Sequence, residues 1–392
     1  MDQNNLKYYQ IAGMNMSIQG EGAYTEALQS YFQAAEVSVP SDPILLSVII
    51  EDDPAKVAIS AKYYSLSGKI SFNNTDYCVR EPGFVYSVLH LFDDTEPVVL
   101  KVCCTRKKSL RSQIGILINS HGIGLERIED RFVDSIMNYS CFFYLFPVLL
   151  MRQNKVFLHC GIAENAGKAF VMCGTGGCGK TSTLMELLSK EGFKYMAEDF
   201  GILGNDGMAY YMPKKMAIYQ SDAKYKNPDV VKGLRKLPLT YRAHWKFFEL
   251  CKQNPRYRFT PKELFGEERV AKEGTLDKVI YLSRVREDVP LTYSDISIEE
   301  LCSKIRHASF RELKQLSEIL NNIRAVGDAE IRNSYPAVAQ LEAKYEQLLK
   351  EGLAGKAIGL LEVPLKADPS EIVDAMLDES SNNEDQKEDG KR

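Results

Sequence analysis

A glycine-rich segment carries the most specific chemistry in the chain. It reads Gly174-Thr175-Gly176-Gly177-Cys178-Gly179-Lys180-Thr181, followed by Ser182, and matches the pattern Gly-x-x-x-x-Gly-Lys-Ser/Thr. Glycines let backbone N–H groups surround phosphate oxygens that side chains would otherwise block. The lysine can neutralise the β- and γ-phosphates, and the threonine hydroxyl can bind Mg²⁺. The segment therefore predicts a nucleoside triphosphate site, with ATP and Mg²⁺ as the expected ligands.

Cys178 lies inside this loop, near the predicted start of a helix. A helix N-terminus can lower the pKa of a thiol, which would make the cysteine reactive. The alternative is a small residue that the loop tolerates, and we favour this second interpretation.

A pair of acids, Glu198-Asp199, ends a short predicted strand after the phosphate loop and its helix. A carboxylate at this position can hold Mg²⁺, directly or through water, and its neighbour can accept a proton from an attacking hydroxyl. A solvated turn is the alternative. The position after the phosphate-loop unit favours the functional interpretation.

The elements around these residues predict a mixed α/β sheet. Strands are expected over residues 156–163, 169–173, 193–197 and 200–203, with a helix over 181–190. Tight turns are expected at 165–168 and at Asn205-Asp206-Gly207. Hairpins stand where a purely parallel sheet would have helical crossovers, so a mixed sheet is expected.

The remaining chain suggests an N-terminal α+β domain (1–150), a phosphate-loop domain (151–379) and a disordered charged tail (380–392). The N-terminal domain carries no chemical motif, and packing or substrate recognition is its expected role. Its predicted strands cover 43–50, 84–92 and 97–104, and a helix covers 126–151. Later elements are a strand at 278–285, helices at 297–306, 310–325 and 336–349, a strand at 357–363, and a capped helix beginning at Asp368-Pro369.

Composition excludes several classes of function. The net charge of −4 gives no global basicity, so neither nucleic acid nor an anionic membrane surface is expected as a partner. Nine cysteines without a Cys-x-x-Cys pair fit a reducing cytoplasm. The N-terminus does not resemble a signal peptide, and the longest apolar run (141–151) is too short to span a bilayer. The sequence leaves open whether the protein forms a homo-oligomer.

Basic residues between the acidic pair and the C-terminal helices are candidates for contact with phosphates or an anionic acceptor. They are Lys214, Lys215, Arg242, Arg256, Arg258 and Arg284. Arg284 is the best candidate because it ends a predicted strand on the nucleotide side. A solvated surface is the expected role of most of the others.

Residues 156–203 resemble the HPr kinase family and the wider group of HPr-kinase-like proteins, which share a fold with phosphoenolpyruvate carboxykinase. That group typically shows a histidine, a strand hairpin, a phosphate loop, a helix and a strand ending in a paired acid. The corresponding parts here are His159, 169–173, 174–181, 181–190 and Glu198-Asp199. The interval from His159 to the loop is also similar. The close resemblance covers about 50 residues, and a weaker likeness extends over most of the chain, including the strand before Asp368-Pro369.

The resemblance implies a mixed-sheet domain of HPr kinase / phosphoenolpyruvate carboxykinase type and a role for each motif residue. The first acid, Glu198, would be the general base, and Asp199 would support the metal together with Thr181. His159 would lie near the transferred phosphate. From the residues alone, a single histidine on an apolar strand is more often a satisfied core residue, and the family spacing only makes the two interpretations equally open.

The chain departs from the family in three respects. The family usually has Asp where Glu198 stands, and the longer Glu requires a slightly retracted backbone. The Arg-Gly-Leu-Gly-type segment of true HPr kinases is not found downstream, and the N-terminal domain differs. HPr is therefore not the expected substrate. Carboxykinase activity is not expected either, because no second metal-binding Lys/His constellation is found.

Three functions are compatible with these features. The leading hypothesis is an ATP-dependent kinase that moves the γ-phosphate to an unidentified hydroxyl, on a protein serine or a small molecule. The second is an ATP-gated binding module or slow ATPase without a phosphoryl acceptor. The third is a structural protein with a vestigial loop.

Overall fold

The computed structural model describes residues 5–105, 128–219, 228–237, 239–250 and 256–378. The predicted tail (380–392) and the first two residues of the helix expected over 126–151 lie outside these ranges. Strands are numbered in chain order: β1 Lys7–Ile11, β2 Met14–Gly20, β3 Glu36–Val37, β4 Leu46–Glu51, β5 Tyr63–Ser65, β6 Ile70–Phe72, β7 Tyr77–Glu81, β8 Phe84–Leu89, β9 Val98–Cys104, β10 Lys155–Leu158, β11 Cys160–Asn165, β12 Lys168–Gly174, β13 Lys194–Ala197, β14 Gly201–Gly204, β15 Met208–Tyr210, β16 Met216–Tyr219, β17 Arg256–Phe259, β18 Glu273–Val285, β19 Thr292–Ser294 and β20 Ala357–Pro364.

The α-helices are numbered in the same way: α1 Ala23–Tyr31, α2 Ile128–Ile136, α3 Phe146–Arg152, α4 Lys180–Leu187, α5 Pro228–Lys236, α6 Leu239–Leu250, α7 Pro261–Phe265, α8 Ile298–Glu312, α9 Lys314–Val326, α10 Ala329–Ser334, α11 Val338–Leu353 and α12 Pro369–Asp378. A π-helical segment, Met137–Leu145, joins α2 to α3. In the part of the chain that the structure describes, no helix is long and apolar enough to cross a membrane.

The chain forms two compact units. Unit 1 contains Met1–Asn154, Ala243–Cys251 and Phe310–Tyr345, and unit 2 contains the rest. The first division is close to the predicted boundary at residue 150, but unit 1 also takes two later segments. The reason is local to unit 1: α9 packs on β5 and on the π-helical segment. Asp328 adds hydrogen bonds from the Tyr63 hydroxyl at 2.7 Å and the Lys62 ammonium at 2.9 Å.

Unit 1 is built on one sheet with strand order β3-β1-β2-β4-β9-β8-β7-β6-β5. The pairs β2–β4 and β4–β9 are parallel and the other neighbours are antiparallel. Burial alternates along β4, where Leu46, Val48 and Ile50 are buried. The strands predicted at 43–50, 84–92 and 97–104, from β-rich apolar runs bounded by acidic or Pro-containing segments, are confirmed as β4, β8 and β9.

Unit 2 contains the glycine-rich loop and a second mixed sheet, ordered β10-β14-β15-β18-β12-β11-β13, with β20 also paired to β18. The pairs β12–β18 and β18–β20 are parallel, and β11–β12 is an antiparallel hairpin. The expectation of a mixed α/β sheet is confirmed. Membership of the HPr kinase fold stays a prediction.

Both predicted turns of unit 2 are confirmed. Ala166 (φ 50°) and Gly167 (φ 83°) join β11 to β12 in the left-handed backbone region that two-residue hairpin turns require. Asn205-Asp206-Gly207 joins β14 to β15, and Gly207 has φ 74°.

The prediction of one continuous strand over 156–163 is wrong. The chain forms β10 and β11 instead, with His159 between them. The reason is pairing: β10 pairs with β14, whereas β11 pairs with β12 and β13, so the two strands occupy different places in the sheet. The break at His159 separates this residue from the regular alternation of a strand.

Candidate active site

The glycine-rich loop joins the carboxyl end of β12 to the start of α4, as the sequence predicts. Gly174 ends the strand with φ 150°, and a Cβ there would lie 2.6 Å from the Leu282 carbonyl oxygen and 2.6 Å from Cys178 Sγ. Only glycine fits this close approach. Gly179, with φ 102°, precedes the first residue of the helix, Lys180. The loop thus brings a helix N-terminus to the edge where the parallel strands end.

The tip of the loop is accessible to a ligand. A Cβ added to Gly176 or Gly177 would meet no atom within 4 Å, and both glycines line a cavity. Gly177 has φ 79°, a left-handed conformation that glycine adopts without strain. Backbone groups here are therefore open to a bound anion, which is the property that a phosphate cradle requires.

Lys180 is buried, and its ammonium group makes three close contacts. It donates to the carbonyl oxygens of Gly174 at 2.9 Å and Thr175 at 3.0 Å, and it lies 3.0 Å from His159 Nε2. A lysine ammonium has three donors and no acceptor, so Nε2 of His159 must accept. His159 is therefore the neutral tautomer with its proton on Nδ1.

His159 is almost buried, and it lines the same cavity as the loop. Its ring is only 8 % exposed, and Nδ1 lies 3.4 Å from an Asp199 carboxylate oxygen. Burial, followed by the neighbouring Lys180 charge, lowers the pKa of His159 to about 4. The imidazole is thus uncharged at neutral pH and lies between the loop lysine and Asp199.

A tight turn directs both acids to the same side. Asp199 has φ 68°, and the Phe200 N–H donates to the Glu198 carbonyl oxygen at 2.8 Å. These features define a γ-turn centred on Asp199, a strained conformation that aspartate tolerates better than most residues. Successive side chains of a strand point to opposite faces. The turn breaks this alternation, so both carboxylates line the cavity.

The two carboxylates have different partners. Glu198 Oε1 accepts from the Thr181 hydroxyl at 2.9 Å. Asp199 pairs with the Lys214 ammonium, which also lies 4.6 Å from the centre of the Phe200 ring. Although the resemblance groups Thr181 with Asp199, the hydrogen bond of the Thr181 hydroxyl goes to Glu198.

Their surroundings shift the two pKa values in opposite directions. Burial, reinforced by the neighbouring Asp199 charge, raises the pKa of Glu198 to about 7. Burial also opposes ionisation of Asp199, but Lys214, His159 and Lys180 outweigh it and lower the pKa of Asp199. At neutral pH, Asp199 is a fixed anion, whereas Glu198 can take up or release a proton.

These side chains line one cavity of about 640 Å³. Of the predicted site residues, the lining includes His159, Gly176, Gly177, Gly179, Lys180, Thr181, Ser182, Glu198, Asp199 and Arg284. Residues 365–369 and Ile372 complete the wall. The sequence missed this wall as part of the site, although Asp368-Pro369 had marked the start of the helix that carries it.

The remaining basic candidates separate into two groups. Lys214 belongs to the site through Asp199, and Arg284 lines the cavity. Lys215, Arg242 and Arg258 do not line it. The side chain of Arg256 lies outside the described part of the chain.

Cys178 is a packed residue of the loop. Burial raises the pKa of its thiol, although Lys180 acts in the opposite direction. The interpretation of Cys178 as a reactive thiol is wrong, because the sulfur faces the underside of Gly174 and is only 1 % exposed. The interpretation as a small loop residue agrees with its position.

The residues present fit Mg²⁺ bound together with phosphates. Thr181, Glu198 and Asp199 supply hard oxygen atoms, the ligand type that Mg²⁺ prefers. Among the described residues, no cluster of three or more His, Cys, Asp or Glu side chains could hold a metal by itself.

No known protein-family model and no functionally curated protein matches this chain. The function of the chain is therefore inferred from the geometry of the site and from the motif residues.

Proposed function

We propose that this protein is an ATP-dependent phosphotransferase of the HPr-kinase-like group, which moves the γ-phosphate of ATP to a hydroxyl of a protein serine or a small molecule. The observation that carries the proposal is the convergence of Lys180, Thr181, Glu198 and His159 in one cavity at the carboxyl end of β12. The mixed sheet, with its phosphate loop between β12 and α4, supports the proposed fold.

The loop and its lysine would bind the triphosphate. Phosphate oxygens compete with the carbonyl oxygens of Gly174 and Thr175 for the Lys180 ammonium. Charge-assisted hydrogen bonds to phosphate are stronger than those to neutral carbonyls, so the phosphates are the preferred partners. His159 is neutral and adds no charge of its own beside them.

The two residues of the acidic pair would have different roles. Asp199, which is held ionised, suits a lasting interaction with a cation, and Thr181 offers its hydroxyl oxygen to the same ion. When bound, Mg²⁺ neutralises charge on the β- and γ-phosphates. Glu198 is the residue whose protonation can change near neutral pH, which suits a proton acceptor.

In the proposed step, the acceptor oxygen forms a bond to the γ-phosphorus while the bond between that phosphorus and the β,γ-bridging oxygen breaks. ADP leaves with the bridging oxygen. The proton of the acceptor hydroxyl passes to the Glu198 carboxylate. Lys180 stabilises the negative charge on the transferred group.

Transfer of label from γ-labelled ATP tests this assignment, with serine peptides and hydroxyl-bearing metabolites as acceptors. Glu198→Gln keeps an acceptor oxygen for the Thr181 hydroxyl but cannot take the proton. It should lower the transfer rate by about 10²- to 10⁴-fold and leave ATP binding nearly unchanged. Glu198→Asp, the residue usual in the family, is the matched control and should retain more transfer than Glu198→Gln.

An unchanged transfer rate in Glu198→Gln would refute the base assignment. If the protein binds ATP but labels no acceptor, the nucleotide-gated binding module or slow ATPase replaces the kinase.

A further inference from the structure

One wall of the cavity differs from the rest in being mainly apolar. Strand β20 runs parallel to β18, which runs parallel to β12, so all three strands end at the same edge of the sheet. The chain leaves β20 at Pro364, lines the cavity through residues 365–368 and enters α12. Helix α12 packs against α4, which carries the phosphate-binding lysine. The wall therefore lies beside the N-terminal end of α4.

The wall presents aliphatic groups to the cavity. Leu365 is 54 % exposed and is among the lining residues. Ala367, Pro369 and Ile372 line the same space. An exposed leucine that opens onto a cavity gains stabilisation when an apolar ligand covers it.

Most polar groups of the wall are already paired. Lys366, which also lines the cavity, lies 2.7 Å from a Glu287 carboxylate oxygen, whereas the Nε of Arg284 is buried without a hydrogen-bond partner among the described residues. Arg284 donates to the Leu365 carbonyl oxygen, and the Ala367 N–H donates to the Pro364 carbonyl oxygen at 3.1 Å. The Asp368 carboxylate accepts from the N–H and hydroxyl of Ser370 at 2.9 and 2.8 Å. These interactions hold the wall in place. They leave few polar groups that could form hydrogen bonds with the edge of a ligand.

The wall and the acidic pair are joined to strands on opposite sides of β12, although the acids also precede β14 and His159 also follows β10, which lie beyond β18 in the sheet order. His159 precedes β11 and Glu198-Asp199 follow β13, and both strands lie on one side of β12 in the sheet order. Strands β18 and β20 lie on the other side. An acceptor hydroxyl must approach the carboxylates, which leaves the aliphatic wall to the nucleoside part of the nucleotide.

We propose that Leu365, Ala367, Pro369 and Ile372 form the nucleobase subsite of this cavity and bind a purine by contact with its flat face. The inference rests on the proposed nucleotide site. Because shape and apolar contact do not distinguish the hydrogen-bonding edges of adenine and guanine, ATP and GTP should bind with dissociation constants within about tenfold of each other.

Calorimetric titration of the full chain in the presence of Mg²⁺ tests the subsite. The ligands are ATP, GTP and inorganic tripolyphosphate, which has the phosphates but no base. Leu365→Ser should weaken ATP binding by about tenfold, because it removes an aliphatic contact with the base. Its dissociation constant for tripolyphosphate should stay within about twofold of the wild-type value. Leu239→Ser, at another exposed leucine outside the cavity, is the matched control and should change neither.

The possible outcomes distinguish failure of the proposed subsite from failure of the proposed function. If wild type binds both ATP and tripolyphosphate and Leu365→Ser alters neither, or alters both equally, the subsite is refuted and the phosphate site stands. A preference for one purine well beyond tenfold also refutes it. If wild type binds neither ligand, the proposed nucleotide site falls, and the subsite falls with it.

Discussion

At the scale of single residues, the site brings the buried Lys180 into one cavity with two carboxylates, Glu198 and Asp199, whose surroundings differ. The sequence predicted the participants because the loop pattern and the paired acid each have a chemical reason for their spacing. It did not predict that His159 accepts from Lys180, or that Lys214 pairs with Asp199. Those contacts join residues far apart in the chain, and no local pattern encodes them.

The raised pKa of Glu198 gives a stability prediction for the nucleotide-free protein. In the folded state this carboxyl, with a pKa of about 7, is protonated at pH 5 and ionised at pH 8. In the unfolded state it is ionised at both, so the wild type loses stability as pH rises between these values. Glu198→Gln cannot ionise. It should therefore raise Tm relative to wild type by more at pH 8 than at pH 5, as measured by scanning calorimetry.

Glu96→Gln, at an exposed loop position, is the control and should give the same small Tm difference at both pH values. A Glu198→Gln difference that is equal at pH 5 and pH 8 would show that the folded protein does not raise the pKa of this carboxyl.

At the scale of elements, two local interruptions build the site. The strand break at His159 and the γ-turn at Asp199 each end the alternation of a strand. Hydrophobic pattern predicts where apolar strands lie, so β12, β13 and β14 were expected close to their observed bounds. It cannot show where a strand changes partners, because pairing is a property of the sheet. The single strand expected over 156–163 was wrong for this reason.

The loop itself gives a prediction at this scale. Gly174→Ala places a Cβ 2.6 Å from the Leu282 carbonyl oxygen. The overlap and the unfavourable φ should destabilise the fold by about 2 kcal/mol or more. Gly176→Ala meets no atom within 4 Å, so its free energy of unfolding should stay close to that of wild type.

Denaturant unfolding of the two variants measures this difference. Equal stabilities would show that Gly174 is not constrained by its neighbours. Loss of stability in Gly176→Ala would contradict the open position of the loop tip.

At the scale of the whole molecule, the chain leaves and rejoins unit 1. Helices were predicted over 310–325 and 336–349, which correspond to α9 and α11, whereas α10 between them was not predicted. The membership of residues 310–345 in unit 1 was not predicted either. Asp328 shows why: its partners, Lys62 and Tyr63, come from a distant part of the sequence. Composition and periodicity predict that each helix forms, but they do not predict which other element it packs against. The mixed class of the sheets was predictable, because hairpin turns have local signals.

We propose that the cavity of unit 2 binds the phosphates of ATP with Mg²⁺. Equilibrium titration of ATP and Mg²⁺ into the full chain tests it most directly, with Lys180→Ala as the variant. Lys168→Ala, at a residue whose side chain is 60 % exposed, is the control.

We expect saturable one-to-one binding by wild type and by Lys168→Ala. Lys180→Ala should bind about 10- to 100-fold more weakly, since it loses charge-assisted hydrogen bonds of about 1.5–3 kcal/mol. Absence of saturable binding by wild type, or equal dissociation constants for wild type and Lys180→Ala, would contradict the claim.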